Sequence, residues 1–135
     1  MGRTVVLRHD LPDGTHHFDW LVEPFRIEPS PGEAPGAADD AVLIAWRLAE
    51  RVDHPGAGSL RAERLAPHRR AYLTYEGPVS KGRGQVTRVA AGWAEVRRDS
   101  PAGFEAVADF GAGPVRVLGA STPGGDWELR VEHRI

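Results

Sequence analysis

Apolar and polar residues alternate with a period of two through most of this chain, in short runs broken by glycine and proline. Thr4-Val5-Val6-Leu7-Arg8 is a first, strand-like apolar run, and residues 16 to 23 form a second, alternating one. In the second, His17, Asp19, Leu21 and Glu23 fall on one face of a strand, and His16, Phe18, Trp20 and Val22 fall on the other. Between the runs, Pro12-Asp13-Gly14 is turn chemistry: proline presets φ and glycine accepts φ > 0. Residues 3 to 9 and 16 to 23 therefore read as two paired strands. Further strands are predicted over 61–67, 70–76, 85–97, 103–110, 114–119 and 126–133. The last four are joined by Pro101-Ala102-Gly103, Gly111-Ala112-Gly113-Pro114 and Thr122-Pro123-Gly124-Gly125. Short strands at this spacing predict an all-β fold, a small antiparallel β-barrel or sandwich with Pro/Gly-rich loops and little helix.

Residues 41 to 50 satisfy two templates. Propensity and Asp40 as an N-cap favour a helix, whereas Val42, Ile44, Trp46 and Leu48 alternate as a strand does. Residues 28 to 40 are a Pro/Gly-rich stretch that reads as a mobile loop inside the domain, since neither flank alone can build a core. Ser80-Lys81-Gly82-Arg83-Gly84 lacks the spacing of a phosphate-binding P-loop and reads as a tight hairpin turn. Trp93 and Trp127 each stand alone in a strand-like run and are expected to anchor the core.

Composition narrows the class. The chain has 135 residues, 41% hydrophobic and 27% charged, which fits a single globular domain over 1–135. With 16 glycines and 11 prolines it is too punctuated for a helical bundle. The absence of cysteine excludes disulfides and thiol nucleophiles and fits a cytoplasmic location. The first residues lack the apolar core of a signal peptide, and no run is long enough to span a bilayer, so no membrane partner is expected. A formal charge of −2 argues against nonspecific coating of duplex DNA. Nucleic acid can be held only by a local patch, for which Arg61, Arg64, His68, Arg69, Arg70, Lys81, Arg83 and Arg88, all in one third of the chain, are the candidates.

The densest chemistry lies in residues 9 to 23, which hold three of the six histidines. His17 and Asp19 stand roughly 7 Å apart along one face of a strand, and a hairpin brings His9 beside His17. Two imidazoles and a carboxylate suit a divalent transition metal such as manganese, iron or zinc. The plainer reading is a hairpin whose His and Asp side chains are solvated or bonded to each other. Nucleophilic catalysis lacks support, because the serines sit in loops and no Gly-x-Ser-x-Gly elbow occurs.

His9-Asp10, a short turn and then His17-Phe18-Asp19 at a strand start resemble the metal-binding signature of the 3′-phosphoesterase module of bacterial DNA ligase D, which also occurs free-standing. The resemblance continues in order along the chain. His68-Arg69-Arg70-Ala71-Tyr72 is similar to the family's His-Pro-x-x-Tyr, and Tyr75-Glu76-Gly77 to its Phe-Glu-Gly. A Gly-rich turn into Gln85-Val86 is similar to Gly-Thr-Val, Gly92-Trp93 to Gly-Thr-Trp, and Gly125-Asp126-Trp127-Glu128-Leu129 to Gly-x-Trp-x-Leu. The resemblance implies a β-barrel, a strand rather than a helix over 41–50, and His9, His17 and Asp19 as ligands of a divalent ion, manganese by family preference with zinc or another transition metal as alternatives. It implies His68 and Tyr72 as catalytic residues. The implied activity is removal of a 3′-phosphate or 3′-ribonucleotide from DNA or RNA-tipped DNA in end repair, beside a separately encoded ligase or polymerase. One departure bears on function: where the family has a phosphate-holding arginine two residues after the aspartate, this chain has Leu21. Arg51, Arg61 and Arg64 are the expected substitutes, with Arg47 on a neighbouring strand as a further candidate. Without a substitute, the alternative is a catalytically silent member that serves as a nucleic-acid-end or protein binding module.

Overall fold

The computed structural model describes residues 1–24, 40–54 and 58–133. Nine strands are present: β1 (Gly2–Asp10), β2 (His16–Val22), β3 (Ala41–Leu48), β4 (Ser59–Arg69), β5 (Gly77–Pro78), β6 (Gln85–Asp99), β7 (Gly103–Asp109), β8 (Pro114–Ser121) and β9 (Trp127–Glu132). All pair antiparallel in the order β1-β2-β3-β4-β9-β8-β7-β6-β5, and β1 also pairs with β6. That last pairing closes the sheet into a ring, so the expectation of an all-β, barrel-like fold holds. β6 makes the closure because it is fifteen residues long. Its first half lies against β1 and its second half against β7. At the changeover sits Gly92, where any Cβ would run into the carbonyl of Asp109.

The residues of the strand segment at 41–50 meet the strand template rather than the helix. Along β3, Ile44, Trp46 and Leu48 face the ring interior while Leu43 and Ala45 are buried on the outside. Period-two alternation with both faces buried explains why the segment also read as a helix: with all but Arg47 of the residues from Ala41 to Leu48 apolar, both patterns are on offer. Inside the ring, Trp20, Trp46, Phe104 and Trp127 meet edge to face at centroid separations of 5.0 to 5.9 Å, a geometry that adds to their area burial. The buried Trp20 Nε1 donates to Thr4 Oγ1 at 2.8 Å, and that hydroxyl donates to the Leu21 carbonyl at 2.7 Å.

A second apolar cluster lies on the outside of the ring, where Val5, Leu7, Leu21, Leu43 and Ala45 are covered by Leu73 and Val86. Leu73 comes from Arg70–Leu73, a single 3-10 turn where a strand was expected. Two inward anchors three residues apart decide this. Leu73 fills the outer cluster, and Arg70 is buried with its backbone N–H on the Asp40 carbonyl (2.9 Å) and its guanidinium on the Asp40 carboxylate (3.2 Å); three-residue spacing is that of a 3-10 helix, not of a pleat. Trp127 is a core residue as expected, but Trp93 is 44% exposed. The pleat assigns Ala94 to the interior and so turns its neighbour Trp93 outward. Ser80–Gly84 is a turn, with Lys81 and Gly82 both at positive φ (65° and 66°), as in a type I′ hairpin. The stretch expected to be a mobile loop, 28–40, lies apart from Asp40 outside the described residues. Among the described residues no helix is long and apolar enough to cross a membrane.

Candidate metal centre

The β1–β2 register pairs His9 with His17 and Leu7 with Asp19. Cross-strand partners share a face, so His9, His17 and Asp19 converge on the outside of the ring at the rim of the outer apolar cluster. Their ligand atoms all lie within 4.8 Å of one another. His9 Nδ1 is 3.2 Å from His17 Nε2, His17 Nε2 is 3.1 Å from Asp19 Oδ1, and His9 Nδ1 is 3.8 Å from Asp19 Oδ2. Around a transition metal with bonds of about 2.1 Å, tetrahedral ligands are about 3.4 Å apart. The His9–His17 and His17–Asp19 Oδ1 separations lie close to that value, and His9 reaches the other carboxylate oxygen at a longer distance.

Two details separate this arrangement from a hydrogen-bonded His-Asp pair. Asp19 Oδ1 is buried and accepts no hydrogen bond, despite its closeness to His17. An orphaned carboxylate oxygen in a protein interior is costly unless an ion or donor belongs there. His9 Nε2 faces the backbone carbonyl of Arg83 at 2.7 Å. A carbonyl only accepts, so Nε2 carries the ring proton and Nδ1 presents its lone pair toward His17 and Asp19, the kind of hydrogen bond that orients metal-ligating histidines. Both details fit a divalent cation bound by nitrogen and oxygen. His16, on the other face of β2, is instead 3.5 Å from Arg8 Nη2, and Arg8 in turn bonds Asp10.

His9 and Asp19 border a cavity of about 870 Å³, which they share with Arg47, His68, Arg69 and Tyr72. Lys81 and Arg83 line it from the hairpin turn. Asp19 is the one carboxylate among the lining residues described. A chain of net charge −2 thus collects cations around one concavity, which suits an anionic ligand. His68 Nδ1 faces the Ala66 carbonyl at 3.0 Å, and the Tyr72 ring stands edge-on to the His68 ring at 5.9 Å. Arg69 lies over Tyr72 at 5.4 Å. The structure therefore brings together His9, His17, Asp19, His68 and Tyr72.

It does not bring the three expected phosphate-binding arginines to them. Arg51 is held by Asp53 (2.7 Å) and the Val89 carbonyl (3.2 Å). Arg64 lies over the interior Trp46 ring and forks onto Asp99 at 2.9 and 3.1 Å. Arg61 sits farther along β4, opposite Glu128 on β9. None of them lines the cavity. Of the basic residues in the same third of the chain, Arg70 and Arg88 are also turned elsewhere, toward Asp40 and the Leu73 carbonyl. The Arg83 carbonyl that orients His9 left no sequence signal, because any residue carries that group.

Compared with protein-family models and with curated proteins, the chain matches none.

Proposed function

We propose that this protein is a metal-dependent phosphoesterase of the kind the 3′-phosphoesterase module of DNA ligase D represents, acting on 3′ ends of DNA or RNA-tipped DNA in end repair. The observation that carries the reading is the buried Asp19 carboxylate, with Oδ1 unpartnered beside His17 and Oδ2 on the side of His9. In this reading His9, His17 and Asp19 hold a divalent ion, manganese by resemblance. Such an ion supplies Lewis-acid polarisation of a phosphoryl oxygen and an acidified water.

The chain's own residues do the rest. The Arg83 carbonyl fixes the His9 tautomer. His68, with Nδ1 engaged by Ala66, keeps Nε2 to give or take a proton at a phosphate oxygen, a role suited to imidazole near neutral pH. Tyr72 packs against that ring and restricts its plane. The cationic wall favours entry of a phosphorylated end. A separately encoded ligase or polymerase is the partner this reading implies, because a trimmed 3′ end is what such enzymes extend or seal.

The test is release of inorganic phosphate from a 3′-phosphorylated primer-template with manganese, comparing wild type with His17→Ala and Asp19→Ala. Turnover by wild type that falls at least a hundredfold in both variants supports the reading. A wild type that binds manganese yet releases no phosphate overturns it for this substrate and leaves a binding module for nucleic-acid ends.

A further inference from the structure

Resting on the phosphoesterase reading, we propose that Arg47 is the residue that grips the substrate's terminal phosphate, brought to the metal centre across the β2–β3 ladder rather than along β2. Asp19 and Arg47 are direct partners in that ladder. Direct cross-strand neighbours have Cβ atoms about 5 Å apart, whereas the position two residues along the same strand is about 6.6 Å away. Arg47 thus starts nearer Asp19 than residue 21 does. Leu21 is fully buried under Leu73 and beside Leu43, in a place that would strip a guanidinium of water without offering it a partner.

Arg47 is also available. It lines the cavity with His9, Asp19 and His68, and its contact with Glu63 on β4 is 3.4 Å between two side chains that are 46% and 57% exposed. An exposed pair of that length holds a side chain only weakly, so the guanidinium is free to exchange Glu63 for a phosphate, to which it can present two parallel N–H groups. The site then has a metal on one side of the phosphate and a planar cation on the other, from adjacent strands.

The test is binding, which separates this residue from turnover. Manganese affinity and the affinities for otherwise identical 3′-phosphorylated and 3′-hydroxyl oligonucleotides are measured calorimetrically for wild type, Arg47→Ala, Arg47→Lys and Glu63→Ala. Residue 47 is exposed, so the variants are expected to fold. The expected result is unchanged manganese affinity throughout and a phosphate preference that drops at least tenfold in Arg47→Ala. Arg47→Lys should recover part of that preference and Glu63→Ala should keep all of it. A wild-type preference that survives Arg47→Ala overturns the role of Arg47 and leaves the site reading standing. A manganese-loaded wild type with no preference for the phosphorylated end overturns both.

Discussion

Asp19 is the residue at which function and stability are set against each other. Its buried Oδ1 lacks a hydrogen bond, and an unsatisfied buried acceptor costs about 1–3 kcal/mol. A neutral amide at the same place keeps the shape of the side chain and removes the buried negative charge. Asp19→Asn is therefore expected to stabilise the protein in EDTA by about 1 kcal/mol and to abolish its response to manganese. Wild type should gain about 2.7 kcal/mol when manganese is at a hundred times its dissociation constant. Melting curves of both proteins with and without manganese check this, and a variant that is less stable in EDTA would contradict it. Glu23 is a buried carboxylate of the opposite kind. Burial pushes its carboxyl up, but the Arg3 guanidinium and backbone N–H outweigh burial and hold it below the usual carboxylate range. Because the folded value is depressed, this stabilisation is complete above the ordinary glutamate value of about 4.3 and is lost as pH falls through the folded value. Arg3→Ala is expected to cost about 1–2 kcal/mol near neutrality, with the gap to wild type closing as the pH is lowered below 4.3. Urea titrations at pH 7 and at progressively lower pH measure it. The grouping of His9, His17 and Asp19 was legible in the sequence because His17 and Asp19 share a face by strand periodicity and a turn returns the chain to His9. Arg47 was only one candidate among several, because its relation to Asp19 depends on the β2–β3 register, which no local pattern encodes.

At the scale of elements, the β5–β6 hairpin turn is as much part of the candidate metal centre as β1 and β2, which carry its histidines and aspartate. Its Arg83 carbonyl sets the His9 tautomer, and the turn's position is set by Gly84, whose φ is +92° and whose Cβ, if present, would strike the Asp10 carbonyl. Gly82, also at positive φ (+66°), has nothing near its missing Cβ. Both replacements by alanine carry the left-handed penalty of roughly 1 kcal/mol, but only Gly84→Ala must also move the turn away from β1. Gly84→Ala is expected to lose about 2–3 kcal/mol of stability and about tenfold in manganese affinity through the displaced Arg83 carbonyl, whereas Gly82→Ala keeps wild-type affinity. Equal affinities in calorimetric titrations of the two variants would show that the turn does not orient His9. The turn itself was legible from its glycines, and most strands from their alternation. The segment at 70–76 was not, because the contact that winds it, Arg70 on Asp40, joins residues 30 apart.

The whole molecule has two apolar clusters back to back through one wall. β1, β2 and β3 bury Val6, Trp20 and Trp46 inside the ring and Leu7, Leu21 and Leu43 outside it. The outer cluster, not the larger inner one, supports the candidate metal centre, since Leu7 is the direct partner of Asp19. Alternation was enough to read an all-β fold. Which face carried the site was not legible, because β2 presents apolar residues on both faces, and the outer cover, Leu73, comes from a turn fifty residues away in sequence. A wall shared by two clusters makes stability and binding separable by position. Phe104→Ala, in the interior against Trp20 and Trp46, should cost about 3–5 kcal/mol of unfolding free energy. It should leave manganese affinity of the folded protein unchanged, because the cavity it opens lies on the far side of the sheet. Leu73→Ala should cost about 2–5 kcal/mol and also weaken manganese binding several-fold, because it uncovers Leu21 and Leu7 and lets water and strand motion reach Asp19. Both losses should be felt in one transition, with circular dichroism and tryptophan fluorescence coinciding, since the β1–β6 closure leaves no part of the ring able to unfold while the rest stays paired. If Phe104→Ala weakened manganese binding as much as Leu73→Ala, the wall would transmit interior packing to the site, and the metal centre would depend on the whole ring rather than on its outer face.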